Sequence, residues 1–232
     1  MIIYGKNVIK EAIFSNRPIY KLWIDEKFSD HHFLTFLKDK HQTYEKISKG
    51  KLNELSDNGL HQGVIADVKP YETYELLDKI DQTKIQRFMI LDGIEDPHNL
   101  GAIMRTAEAT NIDGIIMSKR GQVQLNQTVA KVSAGAIEHV PVILVSNINQ
   151  AIQTLKDHQI LVVGTDGQSE VFYNQIPNEG SLAIVLGNEG EGIRPLVKRN
   201  CDLLVKIPMF GKINSLNVSV AAALMMYQTL KK

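Results

Sequence analysis

Hydrophobic and polar positions follow one another along this chain in two textures. Over residues 1–70 the apolar positions come in short amphipathic stretches. Val8, Ile9, Ala12 and Ile13 share one helical face, and Asn16-Arg17-Pro18 closes the stretch, which predicts a helix over 7–14. Residues 20–24 (YKLWI) and 63–68 (GVIADV) read as strands, and residues 30–40 read as a helix carrying Phe33, Leu34 and Leu37. Together they predict a compact α/β module. Pro70 breaks it, and the polar stretch 71–84 (YETYELLDKIDQTK) is predicted to be a linker with a short helix.

From Arg87 onward the apolar positions run together instead of alternating. Such runs occur at 88–91 (FMIL), 114–117 (GIIM), 142–145 (VILV), 160–164 (ILVVG), 182–187 (LAIVLG) and 203–207 (LLVKI). Helical stretches lie between several of them, at 102–110, 148–157 and 195–199. Continuous apolar strands separated by helices predict a parallel sheet covered on both faces. The Ala- and Met-rich segment 218–230 is predicted to be a last helix, packed on the sheet or on another subunit. The expected division is therefore 1–70, a linker over 71–84, and 85–232.

In an open α/β sheet, ligands bind beyond the carboxyl ends of the strands, so the loops after the apolar runs are where chemistry is expected. After the first run, Asn99 can cap a helix, and Arg105 follows six residues later on that helix; an N-cap and a surface arginine would explain both equally well. After the fifth run come Gly187, Gly190 and Gly192, whose spacing is neither a dinucleotide-binding fingerprint nor a Walker A loop. Glycines there let backbone amides approach a ligand, and Glu189 within the turn is placed to hold one. After the sixth run, Ser215 or Asn217 can cap the final helix. Residues 208–214 are too long and apolar for a tight turn and can wrap an adenine or a methionine-like chain.

Composition adds little to this. The chain has 232 residues, 44% hydrophobic and 22% charged, which is globular rather than disordered. The formal net charge is zero, so bulk charge does not announce a nucleic-acid partner. Over the first 70 residues Lys and Arg outnumber Asp and Glu by two, which fits an RNA-facing surface and an ordinary solvated one equally. Cys201 is the only cysteine, which excludes an intramolecular disulfide and argues against a cysteine-rich zinc site. The polar N-terminus and the lack of a long apolar run predict a soluble, cytoplasmic protein with no membrane partner.

At the three loops the sequence resembles the SpoU (TrmH) family of RNA ribose 2′-O-methyltransferases. The residues that carry the likeness are Asn99, Gly101 and Arg105; the stretch LGNEGEG from Leu186 to Gly192; and IPM…SLNVSVA from Ile207 to Ala221. Residues 1–70 resemble the small ribosomal-protein-like substrate-binding domain of the members that act on ribosomal RNA. The resemblance implies a knotted α/β fold, the SPOUT-type trefoil, in which the C-terminal segment threads through a loop. It implies S-adenosylmethionine as cofactor, held by Thr165, Gly167, Gly187, Ile207, Met209 and Leu216. It implies a reaction centre of Asn99, Arg105, Glu189, Ser215 and Asn217, and a homodimer in which Arg105 reaches the partner's cofactor. The implied substrate is RNA, a guanosine of 23S ribosomal RNA, with transfer RNA as the rival target.

The chemistry suits these residue types. A sulfonium methyl is already activated, so no metal is expected, and the protein must align a 2′-oxygen and assist loss of its proton. Asn99, Glu189 and Asn217 can orient the acceptor. Arg105 can take the proton, as the family resemblance suggests. Alternatively it can stay cationic and hold RNA phosphate, with a phosphate oxygen or water as the proton acceptor. His98 could relay a proton or simply keep the loop polar, and Lys212 and Arg194 are candidates for phosphate contact. Two other readings compete: a dinucleotide-dependent oxidoreductase, against which the glycine spacing argues, and a non-catalytic ribosome-assembly factor, against which the intact motif residues argue.

Overall fold

A computed structural model of the chain describes residues 1–188 and 190–230. The first elements are β1 (Ile2–Tyr4), α1 (Lys6–Phe14), β2 (Ile19–Asp25), α2 (His31–Asp39), β3 (Glu45–Ile47), α3 (Lys49–Leu55) and β4 (Val64–Val68). Four strands form a sheet in the order β1-β4-β2-β3, with β4 antiparallel to both β1 and β2, and β3 parallel to β2 at the edge. The apolar stripe of α1 is the one its spacing predicts, since Val8, Ile9, Ala12 and Ile13 are its buried residues. Asp30 caps α2, its carboxylate accepting from the Phe33 amide at 3.0 Å. Neither β1, β3 nor α3 is anticipated by pattern: two are three residues long, and α3 buries only Leu52.

The chain continues through β5 (Arg87–Asp92), α4 (Pro97–Ala109), β6 (Gly114–Ser118), α5 (Gln127–Val132), β7 (Val142–Val145), α6 (Ile148–Asp157), β8 (Leu161–Thr165), β9 (Leu182–Gly187), α7 (Pro195–Asn200), β10 (Leu203–Val205) and α8 (Val218–Gln228). All six apolar runs are strands of one sheet, ordered β10-β8-β9-β5-β6-β7 and parallel throughout. Every residue of β9 is buried, as expected of a strand covered on both faces. Helix α4 packs against α8, and α6 against α7. From β5 the chain steps outward to β6 and β7, whereas from β9 it returns past β8 to β10. The order therefore reverses between β5 and β9, which is where an open α/β sheet forms its ligand crevice. Within 71–84 the only helical turn is a 3-10 turn at Leu77–Lys79. Among the described residues, no helix is long and apolar enough to cross a membrane.

In space the chain forms two compact units, and their division is not contiguous. Residues 1–71 are joined by 125–139, while 72–124 and 140–232 make the other. Residues 125–139, expected with the C-terminal part, thus belong with the first unit. Helix α5 packs against β1, and a buried ion pair joins the segment to the first unit. Arg17 Nη1 meets Glu138 Oε1 at 2.7 Å, with side chains only 7% and 3% exposed. The Arg17 guanidinium also lies 3.6 Å from the centroid of the Tyr71 ring. Burial, then the Glu138 carboxylate, hold the Tyr71 hydroxyl well above the ordinary phenol range. His139 Nε2 adds a contact to Glu11 Oε2 at 2.9 Å. Elsewhere, Cys201 donates to the Val197 carbonyl at 3.3 Å, and burial pushes its thiol up to about 11, as suits a structural cysteine.

Candidate active site

Three strands of the second unit end on one cavity of about 350 Å³, the volume of an ordinary small-ligand pocket. Thr165, Asp166 and Gly167 carry the end of β8 into its wall, Gly187, Asn188 and Gly190 to Ile193 stand at and after the end of β9, and Ile207, Met209 and Asn214 to Leu216 follow β10. All six residues expected to hold a cofactor line it, and Ser215 joins them.

The wall after β9 is a tight loop. Asn188 and Gly192 exchange backbone hydrogen bonds at 3.2 and 3.0 Å, and Asn188 Oδ1 accepts from the amides of Gly190 and Glu191 at 2.7 and 3.2 Å. Gly192 has a positive φ of 70°. Gly187 is required for another reason: a Cβ there would lie 1.9 Å from the Gly192 carbonyl carbon, inside the backbone of the returning loop. The wall after β10 is open by contrast. Among the described residues, the amides and carbonyls of 207–216 make no hydrogen bond with other backbone. Of that stretch Ile207, Met209 and Asn214 to Leu216 line the cavity, where backbone without backbone partners can bond to a ligand.

Asn99 and Asn217 sit together but apart from the cavity lining. Asn217 Nδ2 donates to Asn99 Oδ1 at 3.0 Å, while Asn217 Oδ1 accepts from the Ser219 amide at 2.8 Å and hydroxyl at 2.6 Å. Asn217, not Ser215, therefore caps α8. Asn99 is not a cap. Asp96 caps α4, accepting from the His98 amide at 2.8 Å, Pro97 takes the first helical position, and Asn99 is buried in the first turn. His98 Nδ1 contacts Asp96 Oδ1 at 3.0 Å, so the loop itself accounts for it. Arg105 lies further along α4, exposed and outside the cavity lining of its own chain. Glu189 falls outside the described residues.

Two carboxylates went unnoticed in the sequence. Asp166 pairs with Lys198 in the cavity wall. Burial pushes its carboxyl up, but hydrogen bonds from Lys198 and the Gln168 amide outweigh this and hold it below the usual carboxylate range. Asp92, fully buried at the end of β5, holds Arg194, with Oδ1 2.8 Å from Nε and Oδ2 3.0 Å from the backbone amide. Both carboxylates stand at or just past the end of an apolar run, the signal that would have found them.

Residues 86–227, which carry this cavity and the asparagine pair, match the model of the SpoU rRNA Methylase family. The chain belongs to the SpoU rRNA methylase family. Residues 2–74 of this SpoU chain also match the model described as RNA 2′-O ribose methyltransferase substrate binding. A Staphylococcus aureus protein named for the TrmH family of tRNA/rRNA methyltransferases is 46% identical, covering 100% of this chain and 96% of its own length. A Staphylococcus haemolyticus relative of the same description is 45% identical over the same shares. Among solved structures, an RNA 2′-O ribose methyltransferase superposes with a TM-score of 0.85 at 26% identity, covering 99% of this chain and 87% of that one. AviRb from Streptomyces viridochromogenes, a SpoU methyltransferase crystallised with AdoMet, gives 0.85 at 22% identity over 99% and 88%. This SpoU chain is an RNA 2′-O-methyltransferase.

Proposed function

We propose that the chain methylates the ribose 2′-hydroxyl of a guanosine in 23S ribosomal RNA, acting as a homodimer with S-adenosylmethionine in the cavity of about 350 Å³. The observation that carries this reading is the convergence of the loops after β8, β9 and β10 on that cavity, with the Asn99–Asn217 pair beside them at the start of α4 and α8. The cavity fits such a cofactor in three respects. Its size suits a nucleoside bearing an amino-acid tail, the backbone of 207–216 offers unpaired donors and acceptors to an adenine edge, and Gly167 leaves open space beside it. Thr165, Gly167, Gly187, Ile207, Met209 and Leu216 would hold the cofactor, which supplies an activated methyl group. The family's knotted threading of the C-terminal segment belongs to the same reading.

The protein's own part is alignment and proton removal. Asn99 and Asn217, locked to each other, would orient the acceptor ribose, with Ser215 and Glu189 near it. Arg105 would act across the dimer. Its exposure outside its own cavity supports this, as do the exposed apolar side chains of Phe210 (97%), Ile213, Val220 and Tyr227 on and before α8. As a guanidinium it would bind RNA phosphate and stabilise the developing alkoxide, with a phosphate oxygen or water accepting the proton. Residues 1–70 would bind the RNA, with 71–84 as linker and the unit that carries the cavity as the transferring domain.

Labelled methyl transfer to RNA from cells lacking the protein, followed by mapping of the modified nucleotide, tests the proposal. Label at a single guanosine of large-subunit RNA is expected. Label confined to transfer RNA would replace the substrate assignment, and no label in any RNA would overturn the function.

A further inference from the structure

A second, smaller cavity of about 200 Å³ lies beside the first, at the carboxyl ends of β5 and β6. The two share a wall, since Asn188, Glu191 and Gly192 line both. The rest of the smaller one includes Glu95, Ser118, Arg120 and Arg194. Its volume is below that of a whole-nucleotide site and suits a single planar fragment.

Its polar groups are arranged rather than scattered. The buried Asp92 fixes Arg194 through the backbone amide, Nε and Nη2, so the guanidinium is anchored along one edge. The side chain is nonetheless 60% exposed, which leaves its remaining N–H groups free to face a ligand. The same cavity is lined by Glu95, Glu191 and Arg120, all exposed. Among the described residues, two guanidinium groups stand with three carboxylates, one of them Asp92 already paired with Arg194, so the lining carries a small net negative charge that disfavours phosphate. Phosphate contact, expected of Arg194 from the sequence, is thereby disfavoured at this place. A neutral fragment that presents donors to carboxylates and acceptors to guanidinium groups is favoured instead.

The position narrows the choice. In a nucleotide the base hangs on the carbon next to the one bearing the 2′-oxygen. With that oxygen at the mouth of the larger cavity, the base lies only three bonds away, and the smaller cavity adjoins the larger one through their shared wall. We propose that the smaller cavity seats the base of the methylated nucleotide and that its carboxylates and arginines select guanine. Guanine offers N1–H and N2–H side by side to a carboxylate, and O6 and N7 to a guanidinium. Adenine lacks the acceptor at position 6 and uracil the amino group, so each leaves part of the lining unpaired. Unstacked bases read on their edges are the usual form of sequence recognition in RNA.

This inference rests on the 2′-O-methyltransferase reading above, and the test separates the two. The modified position is first mapped by treating RNA from cells lacking the protein. Short transcripts then carry guanosine, inosine or adenosine at that position. With the wild-type protein, kcat/KM is expected to fall about tenfold or more from guanosine to inosine, which lacks only the amino group, and further with adenosine. Glu95→Gln or Glu191→Gln should shrink the guanosine-to-inosine ratio, and Arg120→Ala should lower kcat/KM for both RNAs; S-adenosylhomocysteine affinity should be unchanged in Glu95→Gln and Arg120→Ala, whose side chains line only the smaller cavity. Equal wild-type rates on the guanosine and inosine transcripts would overturn the proposal without any variant having to fold, as would a mapped nucleotide other than guanosine. A ratio unmoved in both carboxylate variants would also overturn it. If no RNA accepted a methyl group, it is the functional reading beneath that would fall.

Discussion

Asn217 reaches 118 residues back along the chain to Asn99, donating from Nδ2 to Oδ1 at 3.0 Å, while its own Oδ1 caps α8. One side chain thus fixes a helix start and orients a neighbour, and the two tasks can be separated. Asn217→Ser keeps a capping oxygen and loses the amide, so stability should change by less than about 1 kcal/mol. Methyl transfer should fall about 100-fold, because a misplaced acceptor is costly even when binding survives. Thermal denaturation and labelled methyl transfer check the pair of outcomes; equal losses in both would make Asn217 a cap and nothing more.

Arg105 stands exposed outside its own cavity lining. Arg105→Ala is expected to lower methyl transfer by about 100-fold or more, the scale of one lost electrostatic stabiliser, and to leave the calorimetric affinity for S-adenosylhomocysteine unchanged. Affinity and turnover falling together would remove it from the reaction centre. Sedimentation analysis should show dimers for both proteins.

Gly187→Ala places a methyl group 1.9 Å from the Gly192 carbonyl carbon. Backbone, unlike a flexible side-chain tip, cannot step aside, so the loop must shift. The variant should lose about 2–4 kcal/mol in urea denaturation and bind S-adenosylhomocysteine at least tenfold more weakly. Gly167→Ala meets no atom within 4 Å and should keep wild-type stability.

Arg17 and Glu138 are nearly buried. Arg17→Ala strands the Glu138 carboxylate and should cost about 3–5 kcal/mol, whereas replacing both by Leu should restore most of that. Urea titrations of the single and double variants measure it, and a single-variant cost below 1 kcal/mol would show the pair to be incidental.

The sheet of the second unit was legible because strands buried on both faces write themselves as unbroken apolar runs; all six, from Phe88 to Val205, are strands. The three-residue strands β1 and β3 were not, since so few positions carry no period. Asn99 is not the cap because Asp96-Pro97 is a better start signal, with Asp96 three residues earlier. The attachment of 125–139 to the first unit was illegible for a different reason: Arg17 and Glu138 lie 121 residues apart, and no local pattern marks them as partners. The cavity residues were found through motif likeness, while Asp166 and Asp92, which shape the walls around them, needed the fold.

The loops after β8, β9 and β10 are expected to close around the cofactor. Amide hydrogen exchange of the whole chain, with and without saturating S-adenosylhomocysteine, tests it most directly. Slowed exchange concentrated at 165–167, 187–193 and 207–216 is predicted, the last being the stretch whose amides lack backbone partners. Saturable binding that left those three stretches unprotected would contradict the account.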